Sequence, residues 1–193
     1  MQVFDISQEV FSCCVYPGDP KPEVQKLCSM QKGDLYNLSA FAMCAHNGTH
    51  VDAPAHFLQD GKTIERMALE QFVGNCFVAR ESGDIDREKA QAILQRAQGV
   101  PRILLAGDVT VTQEAADVFA AGELLLLGNE SQSVGPEDAP MAVHLILLRA
   151  GIALLEGIRL QHVPEGFYTL CAAPLNLGGC EGAPCRAVLM TKE

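Results

Sequence analysis

The sequence predicts an α/β protein: a single domain over residues 1–193, with a mixed, barrel-like β-sheet core and flanking helices. The middle of the chain alternates short apolar runs with longer amphipathic segments, which is typical of strand–helix–strand units. Strand-like runs come before and after this middle part, and that order favours a mixed sheet with the helices packed outside it. A length of 193 residues, with 48% hydrophobic and 20% charged residues, suits one sizeable core.

Short apolar or alternating runs bounded by turn residues predict the strands. The segment 37–44 alternates loosely and leads into a histidine-rich stretch, and the four leucines at 124–127 are typical of a strand buried on both faces. The predicted strands cover residues 3–6, 37–44, 75–80, 103–106, 123–127, 152–155, 168–172 and 185–190.

Three helices are predicted between these strands. Asp86 can cap a helix over 87–97, whose apolar residues fall on one stripe. Thr112 can cap a second helix that ends near Gly122, a residue type that often follows a helix C-terminus. A third helix is expected over 140–150, because the apolar run there is followed by a glycine.

The histidine-rich stretch contains four side chains of metal-ligand type within eleven residues: His46, His50, Asp52 and His56. Imidazole nitrogens and carboxylate oxygens suit zinc, manganese and iron. The stretch itself contains no cysteine, so the pattern favours a catalytic metal site over a structural one.

The spacing of these residues requires the chain to fold back on itself. A straight strand would spread residues 46–56 over roughly 30 Å, far too wide for one ion. Asn47-Gly48 is a strong two-residue turn signal that could bring His50 beside His46. Pro54 favours a second, rigid bend that could bring His56 to the same place, and a helix is disfavoured by the glycine, the proline and the β-branched residues.

Charge and hydropathy exclude several classes of function. The formal net charge is −10, which argues against nucleic-acid binding because phosphates need a basic surface. The chain has no apolar run long enough for a membrane span, and its first residues do not read as a signal peptide. We therefore expect a cytoplasmic protein that acts on a small molecule and keeps its eight cysteines reduced.

Two further residues stand in apolar runs of the second half, His144 and Glu156. An isolated ionisable group in such a run needs a partner, and a metal ion could be that partner. Each also has an ordinary alternative: His144 could occupy a surface-facing helix position, and Glu156 could be a carboxylate at a strand end. The fifth histidine, His162, is expected in a loop.

The motif His46-x-Gly48-Thr49-His50-x-Asp52-x-Pro54-x-His56-Phe57 resembles the signature of the cyclase-family metal-dependent hydrolases, which include kynurenine formamidases (arylformamidases) and isatin hydrolases. Weaker family motifs follow in the expected order along nearly the whole chain. They include Phe4-Asp5-Ile6-Ser7, Tyr16-Pro17-Gly18-Asp19, Glu156-Gly157-Ile158 and Gly182-Ala183-Pro184-x-Arg186.

The resemblance implies a role for each matching residue. His46, His50 and Asp52 match the ligands of a first metal ion. Asp52 and Glu156 match residues that can bridge to a second ion, which His144 completes. His56 matches the catalytic acid/base. Tyr16 occupies the position where formamidases commonly hold a tryptophan that contacts the substrate.

The resemblance also implies the reaction, the cofactor and the assembly. The expected reaction is hydrolysis of N-formylkynurenine to kynurenine and formate, a step of tryptophan catabolism. The expected cofactor is one or two divalent ions per subunit, Zn²⁺ before Mn²⁺, and the expected assembly is a homodimer or homotetramer. Alternatives are a hydrolase of cyclic amides of the isatin type, a metal-dependent lyase or dehydratase, and a metal-binding protein without catalysis.

Three departures from the family pattern concern the pocket walls more than the ligands. The chain contains no tryptophan, so Tyr16 stands where that ring is common. The segment 128–133 differs from the usual Gly-x-Asp-x-x-Ser pattern, and Glu181 stands where aspartate is usual. Hydrolysis is therefore a firmer expectation than the identity of the substrate.

Overall fold

The computed structural model, which describes residues 1–191, contains a curled nine-stranded mixed sheet flanked by three helices. The strand order is β1-β13-β11-β5-β7-β9-β10-β4-β12. These strands are β1 (Val3–Asp5), β4 (His50–Asp52), β5 (Val73–Arg80), β7 (Arg102–Ala106), β9 (Leu126–Asn129), β10 (Ala153–Glu156), β11 (Gly166–Cys171), β12 (Gly182–Pro184) and β13 (Val188–Met190).

Four further strands form two small sheets. In the first, β2 (Glu23–Cys28) pairs antiparallel with β3 (Leu38–Ala42), and in the second, β6 (Gly83–Ile85) pairs parallel with β8 (Val109–Val111). The predicted strand over 37–44 therefore exists as β3, but it belongs to a separate hairpin and not to the main sheet. Five of the observed strands, β2, β4, β6, β8 and β12, have no counterpart among the predicted elements.

The three helices match the predicted ones closely. They are α1 (Arg87–Ala97), α2 (Gln113–Ala121) and α3 (Met141–Arg149). The side chain of Asp86 accepts a hydrogen bond from Lys89 N, and that of Thr112 accepts one from Ala115 N, so both predicted caps are confirmed. None of the helices within residues 1–191 is long and apolar enough to cross a membrane.

The parallel strands β5, β7, β9 and β10 form the centre of the main sheet, and the last three are buried along their whole length. Because side chains alternate along a strand, one face of the sheet packs against the three helices through residues such as Ile103 and Leu105. The other face, with Leu104 and Leu155, packs against loops that cover the inside of the curl. The mixed sheet and flanking helices expected from the sequence are confirmed.

One prediction in this region is displaced. The predicted strand over 123–127 is found three residues later, at β9. Glu123 adopts a positive φ of 55°, and the amides of Leu125 and Leu126 both donate to the carbonyl of Pro101. The first leucines therefore form the connection after α2, and the strand begins where pairing with β7 and β10 begins.

Gly157 brings the segment that carries the histidines against the end of β10. Its φ is +68°, and its carbonyl accepts hydrogen bonds from the side chains of Thr49 and Gln8. A Cβ at this position would overlap the carbonyl oxygen of Gly48. The position thus needs glycine both for its backbone conformation and for its close approach to a neighbouring segment.

We expect Gly157→Ala to lower the free energy of unfolding by at least about 2 kcal/mol, because strain at positive φ adds to overlap with packed backbone. Gly151→Ala is the matched control: its φ is +78°, but no atom lies within 4 Å of the added Cβ. The control should cost only the conformational strain, roughly 1 kcal/mol. Urea unfolding of both variants measures the difference, and equal losses would show that the close approach at Gly157 contributes nothing.

Candidate metal centre

Strand β4 carries His50 and Asp52 into the interior of the domain. It lies between β10 and β12, and the antiparallel register with β10 places His50 directly opposite Glu156. All three side chains are almost fully buried. The two ionisable residues that sequence analysis left with open roles, Glu156 and His144, are both buried here, so the surface position considered for His144 is wrong.

The loop before β4 brings His46 to the same point. Here the predicted Asn47-Gly48 hairpin turn is wrong in detail: the amide of Asn47 donates to the carbonyl of Cys44, so the turn lies earlier. Of the two residues, only Gly48 has a positive φ, and its amide donates a hydrogen bond to the carbonyl oxygen of Cys14. Pro54 begins a single 3₁₀ turn, Pro54–His56, which provides the second bend that the sequence indicates.

Three imidazoles surround the carboxylate of Asp52, and Glu156 approaches two of them. Its Oδ1 lies 2.8 Å from Nδ1 of His46 and 3.3 Å from Nε2 of His50, and its Oδ2 lies 3.6 Å from Nε2 of His144. The Glu156 carboxylate approaches Nε2 of His50 at 3.6 Å and Nε2 of His144 at 3.3 Å. Asp52 is therefore shared between two groups of possible ligands.

These groups have the composition and spacing that a divalent cation requires. One contains His46, His50 and Asp52, and the other contains Asp52, His144 and Glu156; within each, one ligand atom per residue lies within 4.8 Å of the others. The Oδ2 atom of Asp52 is buried and has no hydrogen-bond partner among residues 1–191. A buried carboxylate oxygen without a donor is costly, and a cation would satisfy it. The donor set, imidazole with carboxylate, therefore fits a divalent metal.

The electrostatics of the cluster call for positive charge. Burial by itself lowers the pKa of His50, yet hydrogen bonds and charge from Asp52 and Glu156 outweigh it and raise that pKa to about 10. Burial alone would raise the pKa of Asp52, but contacts with His46 and His50 hold it well below its usual range. Without a cation, protons on the imidazoles balance the carboxylates, which is the role a metal ion would take over.

His56 belongs to neither ligand group. Its ring stacks on that of His46, with centroids 4.1 Å apart, and meets the ring of Phe57 edge-on at 4.4 Å. Burial lowers its pKa, in contrast to the raised values of the ligand histidines. Among the described residues none hydrogen-bonds to its ring nitrogens, so a neutral imidazole faces the cavity with a free lone pair.

A cavity of about 260 Å³ opens onto the cluster. Tyr16 lines it, and its hydroxyl donates to the carbonyl of Glu137 at 3.0 Å. Phe57 provides a second aromatic wall, and Gln132 and Ser133 from the divergent segment 128–133 provide polar ones. His162 is exposed in a loop, as expected.

Two residues near the cluster were noted in the sequence only as departures from the family pattern, with no role assigned. Gln132 donates to the carbonyl of Gly48 at 3.0 Å and so supports the loop that holds His46. Glu181 approaches His46 from the other side, with Oε1 3.3 Å from Nε2. Both are far from the histidine motif along the chain, and their types are common on protein surfaces, so spacing alone could not identify them.

Comparisons with known proteins agree with this geometry. The Cyclase family model matches residues 4–101. Kynurenine formamidase of Erythrobacter litoralis (strain HTCC2594) is 31% identical over an alignment of 201 residues. The alignment covers 97% of this chain and 93% of that protein. A solved structure described as a potential metal-dependent hydrolase with cyclase activity has a TM-score of 0.85 and 27% identity, over 100% of this chain and 98% of its own.

A more distant structural neighbour is isatin hydrolase A from Labrenzia aggregata. Its TM-score is 0.85 at 20% identity, and the match covers 100% of this chain and 94% of that one. At this level of identity the likeness shows a common fold.

We expect Asp52→Asn to abolish tight binding of divalent metal, because the carboxylate is shared by both ligand groups and its replacement leaves a neutral amide between them. Metal content after dialysis against Zn²⁺, measured by elemental analysis, tests this. His162→Ala changes an exposed histidine outside the cluster and should leave the metal content as it is. Equal metal content in Asp52→Asn and the unaltered protein would place the ion elsewhere.

Proposed function

Because the chain belongs to the cyclase family of metal-dependent hydrolases, we propose that it cleaves an amide of a small molecule, with N-formylkynurenine as the best candidate substrate. The observation that carries this proposal is the position of His56, which faces the same cavity as the cluster around Asp52 and whose ring nitrogens make no hydrogen bond with any described residue. A ligand cluster beside a free acid/base group is the arrangement that amide hydrolysis requires.

The substrate is proposed from the relative and from the cavity. The Erythrobacter litoralis protein that is 31% identical is a kynurenine formamidase, and the match spans almost the whole length of both chains. The cavity is small and has the rings of Tyr16 and Phe57 in its walls, which suits an aromatic substrate. The tyrosine hydroxyl adds a polar group at the position where formamidases commonly hold tryptophan.

The ligand residues hold the cation and set where the reaction occurs. We assign His46, His50 and Asp52 to one ion and Asp52, His144 and Glu156 to a second. Imidazole and carboxylate suit both Zn²⁺ and Mn²⁺, and Zn²⁺ comes first because such sites generally bind it more tightly. When bound, a divalent ion lowers the pKa of water towards neutrality and polarises a carbonyl group. The buried carboxylates keep this positive charge fixed close to the cavity.

His56 moves the proton. As a neutral base, it accepts a proton from the water whose oxygen forms the new bond to the formyl carbon. It then donates that proton to the amide nitrogen as the carbon–nitrogen bond breaks, which releases formate and the aromatic amine. Its lowered pKa keeps the ring neutral at neutral pH and ready to accept the proton.

Two other reactions could use the same groups. A cyclic amide of the isatin type would be opened by the same attack, since the ring carbon–nitrogen bond replaces the formamide bond. A lyase or dehydratase would instead eliminate a group without net addition of water. The mass of the product separates these classes, because hydrolysis adds one water to the substrate and elimination does not.

We further propose that two copies of the chain pair through the hairpin formed by β2 and β3, called here the hairpin arm (residues 23–42). Both of its strands are exposed along almost their whole length. An isolated two-stranded hairpin is marginally stable in water, so a partner surface is expected to cover it. A groove of about 580 Å³ lies beside the arm, with Phe11, Phe41 and Leu175 in its walls, and it can receive the arm of a second copy.

Area and charge both favour a second copy over other partners. Seven large apolar side chains of the arm are 44–93% exposed. Their exposed surface adds up to that of about four fully exposed side chains, on the order of 800 Å². That area matches what each partner buries in a stable interface. The arm has two lysines and two acidic residues, so its net charge is zero in a chain of net charge −10, and repulsion between copies is smallest there.

We expect the Zn²⁺-loaded protein to hydrolyse N-formyl-L-kynurenine with a kcat of about 1–1,000 s⁻¹. His56→Ala should lower kcat by about 100- to 10,000-fold, since it removes general acid–base catalysis. Because His56 is in neither ligand group, the same variant should keep the metal content of the unaltered protein. Absorbance of the released kynurenine measures the rate.

Two outcomes would contradict parts of this proposal. Full activity of His56→Ala would remove His56 from the reaction. Absence of turnover by protein with a complete metal content would exclude N-formylkynurenine, and isatin would be the next substrate to assay.

For the assembly, we expect light scattering coupled to size exclusion to give twice the mass of the chain for the unaltered protein. Leu35→Asp places a charge on a side chain that is 93% exposed at the tip of the arm and should give the mass of a single chain. Leu69→Asp is the matched control, since Leu69 is 64% exposed outside the arm. A single-chain mass for the unaltered protein, or a double mass for Leu35→Asp, would rule out pairing through the arm.

A further inference from the structure

The three candidate ligand histidines share a pattern of hydrogen bonding. Each directs one ring nitrogen at the cluster and the other at an oxygen acceptor. Nδ1 of His50 lies 3.0 Å from the carbonyl oxygen of Gly48, and Nδ1 of His144 lies 2.9 Å from that of Pro140. Both rings therefore present Nε2 to the carboxylates, and a backbone carbonyl fixes the proton on Nδ1.

His46 is reversed with respect to the other two. Its Nδ1 faces the cluster, 2.8 Å from Oδ1 of Asp52, and its Nε2 faces Oε1 of Glu181 at 3.3 Å. Among these three rings, only His46 has a side-chain carboxylate as its outer acceptor. We propose that Glu181 is the positioning residue of His46: it holds the proton on Nε2 and leaves the Nδ1 lone pair for the cation. This inference rests on the metal-binding role assigned to His46.

The backbone around Glu181 supports a specific contact. The carbonyl of Glu181 accepts a hydrogen bond from Ala53 N at 2.8 Å, and the next residue, Gly182, pairs with Asp52 in the β12–β4 ladder. The pairing of these strands therefore fixes the Glu181 backbone beside the ligand strand. The His46 ring also lies against Gly182, because a Cβ there would come within 2.7 Å of its Cε1 atom.

The remaining contacts of the His46 ring complete its positioning. His56 stacks on one face of the His46 ring, so the ring has contacts at its face, at Cε1 and at both nitrogens. A neutral imidazole carries one proton, and a proton on Nδ1 would block binding of a cation there. A carboxylate acceptor at Nε2 favours the productive tautomer and raises the basicity of the other nitrogen.

The test compares Glu181→Ala, which removes the acceptor, with Glu181→Gln, which keeps an acceptor oxygen but loses the charge. Asp19→Asn is the control for charge alone, because Asp19 lines the same cavity. Two quantities are measured. One is the Zn²⁺ dissociation constant, by competition with a chromogenic chelator. The other is the rate at which the Nε2 proton of His46 exchanges with solvent in Zn²⁺-loaded protein, from ¹H–¹⁵N spectra assigned with a His46→Gln sample.

We expect Glu181→Ala to raise the Zn²⁺ dissociation constant about tenfold, the lower end of the range for such outer contacts because the Glu181 side chain is 46% exposed. It should also speed the exchange of the His46 Nε2 proton with solvent. Glu181→Gln should weaken binding less and keep that proton protected from exchange, and Asp19→Asn should change neither quantity.

Three results would overturn the inference: an unchanged exchange rate of the His46 Nε2 proton in Glu181→Ala, an unchanged dissociation constant in that variant, or an equal loss of affinity in Asp19→Asn. Failure of the metal-binding assignment itself gives a different result, since the unaltered protein would then bind no Zn²⁺.

Discussion

The arrangement of the centre depends on one carboxylate. Asp52 lies on a short buried strand between two antiparallel neighbours, and its two oxygens face different groups of ligands. A carboxylate buried this deeply is stable only beside positive charge, which imidazolium protons supply in the metal-free protein and a cation supplies when bound. The imidazoles of His46, His50 and His144 meet this requirement, whereas Glu156 adds a second buried carboxylate.

The sheet brings these ligands together without long loops. Strand β10 continues the buried parallel layer and ends at Glu156, so its last residue reaches the ligand cluster. The antiparallel register with β4 then places His50 opposite that residue. Two glycines allow the close approach: Gly157 lets the histidine-bearing loop pack on the strand end, and Gly182 leaves room for the His46 ring. The buried sheet thus positions the candidate ligands, while part of the cavity wall, Gln132 and Ser133, comes from a segment that differs from the family pattern.

Sequence reasoning succeeded where the signal is local. The caps of α1 and α2, the buried strands β7 and β10 and the ligand-type motif are each contained in a short stretch of chain. It failed where pairing over distance decides the structure. The alternation at 37–44 predicts a strand but not its partner, and the three-residue β12 has too little pattern to be recognised. Glu181 is 135 residues from His46, so only the β4–β12 pairing reveals the contact. The Asn47-Gly48 dipeptide also predicted the turn at the wrong position, because a turn signal does not specify which residues close the turn.

The central claim, that Asp52 is shared between two metal ions, is tested most directly by a crystal structure of the Zn²⁺-loaded protein with anomalous diffraction measured at the zinc edge. The account predicts two anomalous peaks about 3.5–4 Å apart, one beside His46 and His50 and one beside His144 and Glu156, with Asp52 between them. A single peak bound by one group alone would contradict the shared carboxylate. Peaks confined to sites away from Asp52 would contradict the metal centre itself.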